Sequence, residues 1–287
     1  VLLVQKYYVS RKNYVMTAMR PPKEEVLHGF KRFLVTFPVM MVTFVGILPQ
    51  IVVLITSFIK CDFTGFRKGF SLGSYITIFN RLWTNIRNTF VFSTVAIVFI
   101  IALGMLISYI VVRQKGVAGQ LMDLIIMFPF VIPGAVLGIS LIVAFNKPPV
   151  VLTGTALIII IAFVVRKLPY TVRSGSAFLL QLDPSVEEAS ISLGVSPMKT
   201  FGKVTARLMA PGVLSGAILS WITCINELSS SVMLYGGKTS TISVAIYTEV
   251  VRNSYGTAAA LASILTVSTV VMLLIFLKVS KGKVSIV

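Results

Sequence analysis

An all-α membrane protein with six transmembrane helices is the fold class this chain predicts, and three observations predict it. Hydrophobic residues make up 56% of the 287 and charged residues only 12%, with a mean hydropathy of +0.93. A soluble domain of this size could not hide so much apolar surface, so the solvent is a bilayer. Six apolar stretches are long enough to cross it: 34–58, 88–112, 121–145, 150–170, 208–235 and 257–279. Each is read as helix, because backbone hydrogen bonds must close within the segment in lipid. Basic residues are distributed unevenly between the connections. The amino terminus, the 113–120 loop, the 166–207 loop and the carboxyl tail hold 7, 2, 6 and 3 of them, 18 of 26. The excess puts those segments and both termini on the cytoplasmic side.

The chain opens on Val1 to Val4, followed by Lys6, Tyr7, Tyr8 and Arg11-Lys12. That is the layout of the cytoplasmic end of a preceding membrane helix with its aromatic and basic anchors. The expectation is a basic tail or linker over 1–32, joined to an earlier half of a longer fused chain, and one membrane domain over 33–287. The bland reading is a basic tail on a chain missing only its first residues. Span three contains Pro129 and Pro133, which break or kink it. Span four carries Arg166 and Lys167 toward its far end.

The 181–207 loop is the most structured of the connections. Ser185 with Glu188 three residues on has capping-box spacing. Val186, Ala189 and Leu193 recur on one helical face, with Glu187 and Glu188 off it. Gly194 supplies the left-handed residue that ends the helix. Ser196-Pro197 starts another, as N-cap and first-turn proline. A short helix, a glycine elbow and a second helix make a stiff projecting knuckle.

That knuckle resembles the signature loop of binding-protein-dependent permeases of bacterial ABC importers. Glu188-Ala189-Ser190 stands for the Glu-Ala-Ala of the pattern, Gly194 for its glycine and Val204 for its isoleucine, and Pro211-Gly212 follows. Ala206-Arg207 replaces the usual Leu-Pro. The resemblance implies an ATPase-coupling loop formed by Glu187, Glu188, Ala189, Ser190, Leu193 and Gly194. It also implies two cytoplasmic ATPase subunits that hold ATP and Mg, an extracytoplasmic binding protein and a second permease half, fused or as a homodimer. No cofactor is expected on this chain. The run from Ile225 to Thr266 resembles ferric-iron permeases, while polyamine, sulfate, thiamine and phosphonate permeases share the signature loop. The expected place is the bacterial inner membrane.

Span five bears a polar stripe: Ser220, Thr223, Glu227 and Ser230 recur at intervals of 3, 4 and 3, with Asn226 beside Glu227. An ionisable group in lipid is costly and marks a pathway or a partner. The stripe is read as lining a translocation path, with Arg252 as a candidate partner for Glu227; hydroxyls bonded to neighbouring helices are the bland alternative. About 19 residues separate Glu227 from the start of this span, roughly 28 Å of helix, which sets it toward the outer face. Span six shows Gly256, Ala258, Ala259, Ala260 and Ala262, a surface suited to close helix approach.

Several function classes fall away. The net charge of +17 flanks apolar spans instead of forming an aromatic-interleaved patch, so it serves lipid contact and topology and not nucleic acid. Gly236-Gly237-Lys238-Thr239 mimics a phosphate-binding loop, but Val232 stands where the first glycine is needed, and a turn is expected. His28 is the only histidine, and Cys61 with Cys224 has neither metal spacing nor a disulfide framework. The non-transport alternatives are an intramembrane hydrolase and a structural anchor.

Overall fold

The computed structural model describes residues 28–62, 64–114 and 116–280. The expected tail at 1–32 and the aromatic and basic anchors that open it therefore lie almost wholly outside the described residues. The chain divides into two compact units, 1–48 and 49–287. In the first, the described residues form most of α1 (Gly29–Thr56), whose large apolar side chains are exposed, as a lipid-facing span requires.

The second unit takes in the end of α1 and then a hairpin, β1 (Ile59–Asp62) against β2 (Gly65–Phe70). Next, α2 (Gly73–Thr77), a π-helical turn (Ile78–Leu82) and α3 (Trp83–Arg113) run as a single 41-residue helix. After it come α4 (Val117–Val131) and α5 (Gly134–Phe145), bent by 105°. Pro133 causes the break: it lacks an N–H and forces Ile132 into an extended conformation. A second hairpin, β3 (Asn146–Lys147) and β4 (Val150–Val151), leads into α6 (Ala156–Leu179). The knuckle is α7 (Ser185–Ser192) and α8 (Pro197–Thr200), joined by a π-helical turn (Phe201–Thr205) to α9 (Ala206–Ile225). Short helices α10 (Ser231–Leu234) and α11 (Ile242–Val251) precede α12 (Tyr255–Ser280).

The core is where α3, α6 and α9 meet. Phe92, Ala96 and Ile100 of α3 bury against Ile158, Ile159, Ala162 and Phe163 of α6 and Cys224 of α9. Small residues let the backbones close. A Cβ on Gly216 of α9 would lie 2.7 Å from Thr171 Cα of α6, and one on Gly104 of α3 would lie 2.7 Å from the Thr171 methyl. Ser220 joins the same seam: its hydroxyl meets Thr171 Oγ1 at 2.9 Å and donates to the Lys167 carbonyl at 2.9 Å. A second cluster gathers Ile78, Ile225, Ile242, Ala260 and Leu261. The small surface of α12 is packing, as expected: Ala258 and Ala260 are buried, and a Cβ on Gly256 would lie 2.6 Å from Cys61 Cβ.

The all-helical class holds, with two small hairpins added, but the count of spans does not reach six. Among the described residues four helices are long and apolar enough to cross, Gly29–Thr56, Gly73–Arg113, Pro197–Ile225 and Tyr255–Ile275, or five if α4 and α5 make one broken span. The expected fourth span is α6, whose Arg166, Lys167 and Arg173 take it out of that class. Span five also ends early, at Ile225 instead of 235, so the expected stripe does not lie on one helix. Asn226, Glu227 and Ser230 hydrogen-bond locally there, and such bonds compete with helix continuation.

The α6–α9 approach sets the first prediction. Gly216→Ala forces a methyl onto Thr171 backbone and should cost about 1–3 kcal/mol, read as a lowered Tm in detergent. Gly202→Ala, whose methyl would meet nothing within 4 Å, should leave the Tm level or raise it.

Candidate functional site: the 181–207 knuckle and a buried charge junction

The knuckle is built from its ends. Asp183, and not Ser185, caps α7: its Oδ1 accepts the Ser185 N–H at 2.9 Å, and the Ser185 side chain makes no cap bond. A carboxylate at a helix start is also favoured by the backbone dipole. The hydrogen bonds from Ser185, its N–H first, hold Asp183 below the usual carboxylate range. The stabilisation is therefore fully present above that range and is lost as pH falls through the lowered value of the folded state.

At the other end Gly194 adopts φ +84°, the left-handed conformation expected of it. Its N–H donates to the Ile191 carbonyl at 2.9 Å, and that of Val195 donates to the Ser190 carbonyl at 3.2 Å. This pair of bonds is a Schellman stop. Ser196 and Pro197 take the N-cap and first-turn positions of α8, although the Ser196 hydroxyl makes no cap bond. The Ser190 and Thr200 hydroxyls, 3.0 Å apart, close the elbow.

Apolar side chains stay on the outside of this elbow. Leu193 is 85% exposed and Met198 78%, with Val186 and Ile191 also exposed. Ala189 and Glu188 are exposed beside them. Glu187, by contrast, turns inward, where its Oε1 accepts Arg113 Nη2 at 3.0 Å and Nε at 3.1 Å. The surface left free sets these apolar side chains beside the Glu188 carboxylate, on a rigid elbow, and suits docking of a partner.

The expected path residues split between three settings. Ser220 is buried in the α6–α9 seam. Thr223 bonds back to the carbonyls of Leu219 and Ser220, and Asn226 to that of Ile222 at 2.8 Å. Glu227, 6% exposed, sits beyond α9 in a charge junction. Its Oε2 accepts Lys167 Nζ at 2.5 Å and lies 3.7 Å from Arg166 Nε, while Oε1 accepts the N–H and hydroxyl of Ser230, each at 3.2 Å. Arg166 reaches on to the Ile132 carbonyl at 3.4 Å, the last residue before the α4–α5 break. The junction thus ties α6, the end of α9 and the broken helix to one carboxylate.

Two partnerships were not legible from sequence. Arg252 does not meet Glu227; with Arg81 it pairs Glu249, a second buried carboxylate, 1% exposed, on α11. The partner of Lys167 in span four is the other. A lysine within an apolar run requires an acid, and that requirement among nine acidic residues was the signal available. The Gly236–Thr239 segment forms the expected turn, with Thr239 N–H donating to the Gly236 carbonyl at 3.1 Å.

Comparisons with known proteins add three findings. Residues 104–283 match the family described as "Binding-protein-dependent transport system inner membrane component". The chain is 35% identical over 211 residues to the ferric transport system permease protein FbpB of Actinobacillus pleuropneumoniae, covering 72% of this chain and 31% of that protein. It is 27% identical over 192 residues to the sulfate transport system permease protein CysT of Salmonella typhimurium, covering 62% and 69%. The chain therefore spans about a third of the length of the FbpB relative. In fold, it resembles a chain from the crystal structure of a bacterial ABC transporter involved in import of the acidic polysaccharide alginate. The TM-score is 0.66 at 14% identity, over 89% of this chain and 98% of that one.

The junction yields a prediction on stability. Glu227→Ala strands Lys167 in a buried setting and should cost about 3 kcal/mol or more in detergent unfolding. Adding Lys167→Met to that variant should recover part of the loss, because the most buried cation is then removed while Arg166 still lacks its acid.

Proposed function

Because the chain belongs to the family of binding-protein-dependent transport system inner membrane components, we propose that it forms part of the passage of an ATP-driven importer for ferric iron. The observation that carries this reading is the knuckle, a glycine-stopped elbow bearing exposed Leu193 and Met198 at the position of the signature loop. In this reading a separate ATPase subunit binds ATP and Mg and receives the knuckle in a groove. ATP-driven closure of two such subunits turns the passage outward, and hydrolysis resets it. Thermodynamic reciprocity then requires that whatever favours the outward state also favours the closed ATPase pair. An extracytoplasmic binding protein delivers cargo, and a second permease half completes the passage. The membrane is the bacterial inner membrane, with both termini inside.

Ferric iron as cargo is supported by the FbpB relative and by the run from Ile225 to Thr266. Selective ligation of Fe³⁺ calls for hard oxygen donors and falls to the binding protein in this scheme. The junction at Glu227 acts at the passage as a fixed charge that holds the broken helix in place.

Two outcomes follow. Gly194→Val replaces a left-handed glycine where a Cβ meets nothing, so its cost is backbone strain alone, about 1–2 kcal/mol. Membrane assembly should persist while binding-protein-stimulated ATP hydrolysis falls; wild-type hydrolysis and uptake in this variant would remove the knuckle from coupling. Cells lacking the gene should take up less radioactive iron under iron limitation with sulfate uptake unchanged. The opposite pattern would move the cargo to sulfate.

A further inference from the structure

Two adjacent glutamates open α7, and they face different neighbours. Glu188 is exposed and free of side-chain partners among the described residues, whereas Nε and Nη2 of Arg113 both donate to Glu187. Arg113 is the last residue of α3. The backbone connects the knuckle to α6 on one side and to α9 on the other, so α3 is the one member of the packed core that reaches the knuckle only through side chains. Both of its contacts come from one helical face. Tyr109, four residues before Arg113, packs its ring 4.8 Å from that of Phe201 in the π-helical turn. The Arg113 and Glu187 side chains are only 19% and 15% exposed, so the pair is shielded from the screening that weakens surface ion pairs. Higher up, Ser108 of α3 donates to the Val172 carbonyl of α6 at 3.1 Å, locking the two helices together.

We infer that Arg113 and Glu187 are positioning residues: a strut that carries displacement of the knuckle into α3, leaving Glu188 as the carboxylate that meets the partner ATPase. The inference rests on the importer reading. Movement of α7 must either break this charge-assisted pair or carry α3 with it, and α3 carries α6 through the Ser108 bond and the Gly104 approach to Thr171. A pair that served stability alone would change the melting temperature of its variants and leave their response to the partner proteins intact.

The test uses the full transporter, reconstituted with its ATPase subunits and its loaded binding protein. Arg113→Gln and Glu187→Gln should each cut the stimulation of ATP hydrolysis by the binding protein about fivefold, while ATPase subunits co-purify at the wild-type level. The exchange Arg113→Glu with Glu187→Arg should restore stimulation to within about twofold of wild type, as a direct pair requires. Glu188→Gln should instead weaken co-purification. Wild-type stimulation in both single variants would overturn the strut and leave the importer reading standing. Loss of ATPase subunits in Glu187→Gln would also overturn it, by placing Glu187 on the partner. A wild-type complex that shows no stimulated hydrolysis would bring down the importer reading and the strut with it.

Discussion

Lipid offers helices no hydrophobic reason to associate, since the tails around them are as apolar as leucine. Close approach has to come from packing and from polar contacts that lipid cannot supply. In this chain both are concentrated around Thr171. Its backbone receives Gly216 of α9, its methyl receives Gly104 of α3, and its hydroxyl meets Ser220. Every other feature inherits this seam: the directions in which α6 and α9 enter the knuckle, the height of Lys167 against Glu227, and the place where α3 ends at Arg113.

The charges are arranged around the same seam. Arg166 and Lys167 of α6 would be expensive in an apolar setting, and Glu227 makes them tolerable because it is presented by a loop and not by the helix itself. The early end of α9 is thus linked to the compensation of charge on α6. Ser230 occupies the remaining carboxylate oxygen, so the acid is satisfied on both sides. Glu249 repeats the arrangement elsewhere, one buried carboxylate between Arg81 and Arg252.

What was legible in the sequence followed from rules that act over a few residues. Gly194 could be read because the left-handed stop of a helix is nearly glycine's alone, and Pro133 because it has no N–H to give. The cap of α7 lies two residues before the expected Ser185 because Asp183 and Ser185 are both competent cap residues, and only the backbone decides which carboxylate or hydroxyl is in reach. The end of α9 was missed because Ser220, Thr223, Glu227 and Ser230 keep a helical period that the chain does not follow. Contacts over long separations were out of reach: Lys167 and Glu227 are 60 residues apart, and Arg81 and Glu249 are 168 apart. Glu249 gives no comparable signal, because α11 has only 10 residues, too few to read as a span in which a carboxylate would stand out.

The π-helical turn at Phe201–Thr205 sets the aim of the knuckle. A π turn holds one residue more than the α-helical ladder around it, and one residue of α-helix corresponds to about 100° of rotation. With that residue present, Phe201 faces Tyr109 and the elbow points as it does. Excising a single residue there would let Pro197–Ile225 regularise at little cost in hydrogen bonds, yet would swing everything before it around the helix axis. Leu193 and Met198 would then be presented to a different side of the molecule. The bearing of the docking face is in this sense a counting property, fixed by the number of residues between the elbow and Ala206 more than by their identity.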